Sequence, residues 1–154
     1  MSNIKQYKLI PLTQDKFAIV DLEDYEKVKD FKWHYNKGYA AKKSTLMHRL
    51  IMNAPKDMQV DHINTIRNDN RKSNLRLCTI SQNAHNSRPN KGRSYKGIVL
   101  DKRSKKWRAQ LGFKGTRIYL GLHATVVEAL QAYDAGALKY YGEFALTNKK
   151  LGAY

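Results

Sequence analysis

Asp61 stands directly before His62, Asn74 follows twelve positions later and Asn83 nine after that, within the stretches Val60-Asp61-His62-Ile63, Asn74-Leu75-Arg76 and Ser81-Gln82-Asn83. One carboxylate, one imidazole and two carboxamides can make a single-metal site for cutting a phosphodiester. A histidine near neutrality takes a proton from water when one ring nitrogen faces the water and the other donates to a fixed acceptor. That role falls to His62, with the Asn74 side chain or a backbone carbonyl as orienter. Asp61, next to it along a strand, points to the opposite side of the pleat unless the strand is kinked. Its hard oxygen suits magnesium or manganese. Asn83 supplies a second oxygen, and a metal held by two protein oxygens keeps open positions for a phosphate oxygen and the leaving oxygen. Taken singly, an Asp-His pair is a turn and an Asn a turn former; the ordered set is what points to chemistry.

The elements around these residues follow from pattern. Residues 4 to 20 alternate loosely about Pro11 and Thr13-Gln14-Asp15 and predict two short strands. Asp21 to Val28 predicts a short helix with Asp21 at a cap, acids in the first turn and Leu22, Tyr25 and Val28 apolar. Phe31, Trp33 and Tyr35, the turn Asn36-Lys37-Gly38 and Tyr39 to Ala41 predict a hairpin. Leu46 to Met52 is apolar with either periodicity, ending before Pro55. From Asp61 to Ser81 the order is strand, loop, strand over Leu75 to Cys78, then a helix capped by Thr79 or Ser81 that carries Asn83. Asn86 to Ser94 has no periodic apolar residue and reads as a linker. Strands over Tyr95 to Leu100, Lys106 to Phe113 and Arg117 to Leu122 precede a helix with capping-box spacing at Thr125 and Glu128, ending near Gly142.

Composition restricts the partner. Lys and Arg number 29 against 13 Asp and Glu in 154 residues, a formal net charge of +16, which favours a polyanion. From Arg88 to Arg117 the single acid among closely spaced lysines and arginines is Asp101. Cys78 is the only cysteine, which excludes an intrachain disulfide and a thiolate zinc site of the usual kind and fits an intracellular, cytoplasmic setting. No apolar run approaches a membrane span, and Met1 to Lys5 lack the hydrophobic core of a secretory signal.

Val60-Asp61-His62-Ile63-Asn64, Asp69-Asn70-Arg71-Lys72-Ser73-Asn74-Leu75-Arg76 and Ser81-Gln82-Asn83 resemble the HNH endonucleases of the phage and intron-encoded homing type, built on a ββα-metal finger. Met47 to Met52 resembles the segment that leads into that finger. The resemblance implies His62 as general base, Asp61 and Asn83 as metal ligands, and Asn74 as the residue that fixes the finger and the histidine ring. Asn83 stands where other branches carry His, leaving His85 and Asn86 as lesser ligand candidates.

Tyr95 to about Asn148 is similar to the Apetala-two, or ethylene-response-factor type, DNA-binding domain, through Tyr95-Lys96-Gly97-Ile98, Lys106-Trp107-Arg108-Ala109-Gln110-Leu111, Arg117-Ile118-Tyr119-Leu120-Gly121 and Glu128 to Ala145. Similar domains lay a three-stranded sheet in the major groove. Alternation alone puts Trp107, Ala109 and Leu111 toward the helix and Arg108 and Gln110 away from it, while Ile118 and Leu120 oppose Arg117 and Tyr119. Arg108, Gln110, Arg117 and Tyr119, with Lys96, Lys114 and the loop cations Arg103, Lys105 and Lys106, are the candidate DNA contacts. Val99 and Asp101 stand where plant members carry further arginines, which lowers base discrimination there.

The expected fold is α+β: a scaffold over residues 1–52, a nuclease finger over 53–87, a basic linker over 88–94, and a three-stranded antiparallel sheet packed on one helix over 95–150. The expected function is a magnesium- or manganese-dependent endonuclease acting on double-stranded DNA as a monomer or homodimer, encoded by a phage or mobile element. The rival is a sequence-specific DNA-binding regulator with an inactive finger; an RNA-directed protein is a third reading.

Overall fold

The opening hairpin turns where the sequence offers Gln14 and Asp15, both in the left-handed region at φ 64° and 51°. In this computed structural model, which describes residues 6–154, β1 (Tyr7–Pro11) pairs antiparallel with β2 (Phe17–Asp21), and Ile10, Ala18 and Val20 enter the core. Met1 to Lys5, read above for a signal and the start of a strand, lie outside the described residues. Helix α1 (Leu22–Val28) follows directly. Asp21 sits at its N-cap but makes no side-chain cap bond; its Oδ2 accepts instead from the backbone N–H of Lys72 at 2.8 Å. The expected cap residue thus ties a distant loop to the start of α1.

Strand β3 (His34–Asn36) begins later than the aromatic alternation predicts. Trp33 is buried with its indole N–H donating to Val28 O at 2.9 Å, which ties it to the end of α1 and delays the strand. Asn36 pairs with Tyr39 across Lys37 and Gly38, both at positive φ, which is the two-residue turn whose twist matches the strands. Strands β4 (Tyr39–Lys42) and β5 (Thr45–Leu46) complete a sheet of order β3-β4-β5, and the ambiguous apolar segment becomes α2 (Met47–Ile51). Arg49 on α2 donates to Met58 O and Pro55 O at 2.7 Å each, fixing the turn that launches β6 (Gln59–His62). Strand β6 pairs antiparallel with β7 (Leu75–Cys78) and α3 (Ile80–His85) follows, in the predicted order. Val20, Val28, Trp33, Met47, Ile51, Val60 and Leu75 form one core.

The chain divides into two compact units, residues 1–83 and 84–154. The second holds β8 (Ile98–Asp101), β9 (Lys106–Phe113) and β10 (Thr116–His123) in the order β10-β9-β8, with α4 (Val126–Tyr141). Both halves of the Thr125/Glu128 capping box are present, and α4 stops at Gly142, φ 56°. Ile98, Ala109, Leu111, Ala129, Leu130, Tyr133 and Ala137 make its core. Asp134 on α4 accepts from the backbone N–H groups of Asn148 and Lys149 and from the Tyr154 hydroxyl, which folds the C-terminal segment back on the helix.

Strand β8 starts three residues after its predicted beginning at Tyr95 because Gly97 leaves the extended region, φ +66°. Its carbonyl accepts from Gln110 N at 2.8 Å, and a Cβ there would lie 2.0 Å from the Tyr133 ring and 2.6 Å from Gln110 O. Gly97→Ala is therefore expected to destabilise the second unit by about 2–4 kcal/mol, combining an overpacked contact with a left-handed alanine. Urea unfolding followed through Trp107, with Trp33 reporting the first unit, checks this; a midpoint for Trp107 equal to the parent's contradicts it.

Candidate active site

The register of β6 and β7 sorts the candidate residues onto two faces. Gln59 pairs with Cys78, Val60 with Leu77, Asp61 with Arg76 and His62 with Leu75. Successive side chains alternate, so Gln59 and Asp61 share one face while His62 lies on the other with Val60. Both Asp61 and His62 are buried.

On the first face Arg76 grips Asp61, with Nε at 2.9 Å and Nη2 at 2.7 Å from the same oxygen, Oδ2. Helix α3 starts with a reciprocal cap: Thr79 Oγ1 accepts from Gln82 N at 3.2 Å and Gln82 Oε1 accepts from Thr79 N at 2.8 Å. That cap aims Asn83 back at the hairpin, where its Nδ2 donates to Gln59 Oε1 at 2.6 Å. Gln59 is thus the link between Asn83 and the face that carries Asp61. Cys78, opposite Gln59, is a buried free thiol whose pKa burial raises.

On the second face the His62 ring meets an aromatic and polar cluster. Its Nε2 lies 3.3 Å from Asn70 Oδ1, and the His48 ring stands edge-on at 4.9 Å between centroids. Tyr39 is 5.3 Å from His48 and 6.0 Å from His62. Burial lowers the pKa of His62, opposed by its bond to Asn70 and by Asp61 and Asp69. His48 is pushed down to about 3 by burial, then by His62 and Arg49, and its Nδ1 is buried without a hydrogen-bond partner.

Of the side chains, Asn70 rather than Asn74 meets the His62 ring. Asn74 turns its side chain into the loop, with Oδ1 accepting from Asn64 N at 2.9 Å and Nδ2 donating to Asp69 O at 2.8 Å, and its own carbonyl accepts from Ile63 N. It closes the loop between His62 and β7; the contact with the imidazole belongs to Asn70. The physical reason is a strap: Ile19 N donates to Asn68 O, and Asn70 N donates to Ile19 O, so the loop runs parallel to β2 and carries Asn70 inward. Asp69, also buried, accepts from Arg71 and Asn64 and stiffens the same stretch. Asn70 and His48 were hidden in the sequence, the first among turn formers and the second in an apolar run. For His48 the one signal was its polarity within an apolar run; Asn70 carried none that set it apart from its neighbours.

Among the described residues the acids that gather as a group of three are Asp21, Glu23 and Asp24, but Lys72 and Lys27 meet them there. His85 stacks on Tyr141 at 3.8 Å and Asn86 is buried.

In the second unit Gln110 pairs with Tyr119 and Arg117 with Gly112, so Arg108, Gln110, Arg117 and Tyr119 share the sheet face turned from Ala109 and Leu111. Tyr119 and Arg117 are exposed, as are Arg103, Lys105, Lys106 and Lys114; Arg108 and Gln110 are half-buried, and Arg108 Nε has no hydrogen-bond partner. Lys96 departs from this set. Its Nζ donates to His85 O at 2.7 Å, and burial draws its pKa down to about 8, so it braces the start of the unit instead of standing on the sheet face.

Residues 46–85 match the family model described as HNH endonuclease. An uncharacterized HNH endonuclease of Acanthamoeba polyphaga mimivirus is 29% identical over 159 aligned positions, covering 97% of this chain and 83% of the relative. An AP2-like ethylene-responsive transcription factor of Arabidopsis thaliana is 37% identical and an APETALA2-like protein of Oryza sativa subsp. indica is 40% identical, each over 62 residues or 39% of this chain. The chain spans only 18% and 14% of those plant proteins' lengths. No solved structure matches. The matched segment holds both strands of the hairpin, its loop and the helix of Asn83, and together with the viral relative it supports a nuclease enzyme.

Proposed function

We propose that the protein is a divalent-metal-dependent DNA endonuclease in which His62 is the general base and the sheet of the second unit positions the cut. The observation that carries this reading is the buried imidazole of His62 held by Asn70 on one face of the hairpin whose other face presents Asp61. Asn70 Nδ2 donates to Asn68 O at 3.3 Å, which leaves Oδ1 toward His62 and makes Nε2 the protonated nitrogen. The neutral ring takes a proton from water as the water oxygen attacks phosphorus and the ester oxygen departs. Because burial lowers its pKa, the ring is neutral at neutral pH and its lone pair is not already protonated.

Asp61 and Asn83 offer the hard oxygens that magnesium or manganese prefers, and the fit is supported by Asn83 turning its amide nitrogen to Gln59, which leaves its Oδ1 as the end available to an ion among the described residues. Such an ion, when bound, supplies Lewis-acid charge at the phosphate. Arg76 fixes the Asp61 carboxylate in one orientation on that face. The exposed cations and the Arg108, Gln110, Arg117 and Tyr119 face favour duplex DNA as the partner, as does the likeness to plant transcription factors over 62 residues.

Nicking of a supercoiled plasmid with magnesium tests the reading. His62→Ala is expected to lower the rate by about 10²- to 10⁴-fold with DNA affinity nearly intact, since the base acts only in the transition state. Parallel loss of affinity would remove His62 from the role. Asp61→Ala and Asn83→Ala are expected to raise the metal concentration needed for half-maximal rate, and unchanged metal dependence would reject both as ligands.

Arg108→Ala or Arg117→Ala should flatten base preference at one position of a selected site, because each guanidinium can offer a fork to guanine worth about 1–3 kcal/mol. Lys105→Ala should weaken all sequences alike and reduce the salt slope by about one. Selected-site sequencing at two salt concentrations separates the two, and the opposite assignment would move recognition off the sheet.

The buried histidines also set a pH limit. A group with a depressed folded pKa supports stability above its unfolded value and withdraws it as pH falls. For His48 that window runs from its ordinary value of 6.5 down to about 3. The first unit should therefore lose stability across that range, and His48→Phe should flatten the loss. Urea midpoints from Trp33 fluorescence at pH 7 and 4.5 give the comparison.

A further inference from the structure

Four cations follow His62 along the loop and into β7: Arg67, Arg71, Lys72 and Arg76. Three have carboxylates beside them. Arg71 meets Asp69 at 2.7 Å, Lys72 meets Glu23 at 3.0 Å and Asp24 at 3.1 Å, and Arg76 meets Asp61 at 2.7 Å. Arg67 is exposed and has no carboxylate partner among the described residues. It is nevertheless held in place. Its Nη1 donates to Lys37 O at 3.0 Å, and its guanidinium carbon lies 4.8 Å from the centre of the Tyr39 ring. Its stem runs past Gly38, where a Cβ would fall 3.1 Å from Arg67 Cδ, so a side chain at the turn would crowd it.

Tyr39, the ring on which Arg67 rests, is also the ring beside His48 and His62, 6.0 Å from the latter. The loop and the β3–β4 turn thus hold an unneutralised guanidinium over the same aromatic group that borders the imidazole. A guanidinium has five N–H donors in a planar fork that matches two oxygens of a phosphate, and only one hydrogen bond is engaged here. Stacking on an aromatic ring preorganises that fork, which reduces the entropy lost when it binds.

We propose that Arg67 is the residue that binds the backbone phosphate presented to His62, with Tyr39 as its platform and Gly38 as the gap that lets it lie there. The assignment rests on the nuclease reading with His62 as base. The phosphodiester carries one negative charge and gains a second as the nucleophile adds, so a fixed guanidinium favours the transition state over the bound substrate. Arg67 then acts on turnover more than on affinity. This separates it from the cations of the second unit, whose contribution is to binding.

Single-turnover nicking of supercoiled plasmid by the full chain with magnesium, at saturating protein, tests the proposal alongside DNA binding in EDTA across a salt series. Arg67→Ala is expected to lower the single-turnover rate about 10²-fold, to reduce the salt slope of binding by about one and to leave the melting temperature near the parent's. Added guanidinium ion should recover part of the rate in Arg67→Ala and none in His62→Ala. Arg67→Lys should keep the salt slope but recover the rate only in part, because an ammonium lacks the fork. Arg67→Gln, which keeps a donor for Lys37 O, serves if the alanine variant unfolds. A parent-like rate and salt slope in Arg67→Ala and Arg67→Gln overturn the proposal. If the parent itself does not nick DNA, the nuclease reading fails, and an unchanged salt slope in either variant still removes Arg67 as a phosphate ligand.

Discussion

The two hydrogen bonds between Ile19 and the loop, Ile19 N to Asn68 O and Asn70 N to Ile19 O, are the constraint on which the site depends. A loop rich in Asn, Asp, Arg and Lys has many conformations of similar energy, and an imidazole cannot be oriented by a residue that moves. The parallel bridge to β2 removes that freedom at the point where Asn70 turns inward. Asp21 adds a second tie through Lys72 N and Asn68 a third through Phe17 O. The opening hairpin therefore holds the loop that brings Asn70 to His62.

The strand that carries Asp61 and His62 divides labour by its pleat. On the proposed reading of Asp61 as a ligand and His62 as the base, a carboxylate set directly against the ring would raise its basicity and draw it toward the same ion. Alternation separates them while keeping them adjacent in sequence. Arg76 and Asn70 then act as the partners of the two faces, each fixing the group opposite or near it. The reciprocal Thr79 and Gln82 cap does for Asn83 what the strap does for Asn70.

Much of this was legible in the sequence where local chemistry decides. The order of strand, loop, strand and helix around Asp61 and Asn83, the turn at Lys37-Gly38, the capping box at Thr125 and the two faces of β9 all follow from periodicity and turn residues. The losses come where a tertiary partner outbids the local one. Asp21 has the type and place of a cap, yet a distant backbone N–H takes its carboxylate. Lys96 has the alternation of a groove-facing cation, yet a carbonyl at His85 and burial draw it in. Asn74 and Asn70 are indistinguishable as residue types, and only the loop's pairing with β2 decides which one meets the imidazole. Gly97 shortens β8 because Tyr133, thirty-six residues later, occupies the space of a side chain.

The distribution of acids explains how one chain can hold a rigid site and a strongly attractive surface. In the first unit carboxylates pair with cations: Asp69 with Arg71, Glu23 with Lys72 and Asp61 with Arg76. In the second, Asp101 accepts from the N–H groups of Arg103 and Ser104, Glu128 from those of Ala124 and Thr125, and Asp134 from those of Asn148 and Lys149. These carboxylates terminate turns and helices through backbone N–H groups. The field of so basic a chain acts at long range, and it weakens with salt. The paired cations of the first unit contribute geometry at short range. Among the four cations that follow His62, Arg67 has no carboxylate beside it among the described residues while Arg71, Lys72 and Arg76 do, and that contrast is what makes its position beside Tyr39 and His62 informative.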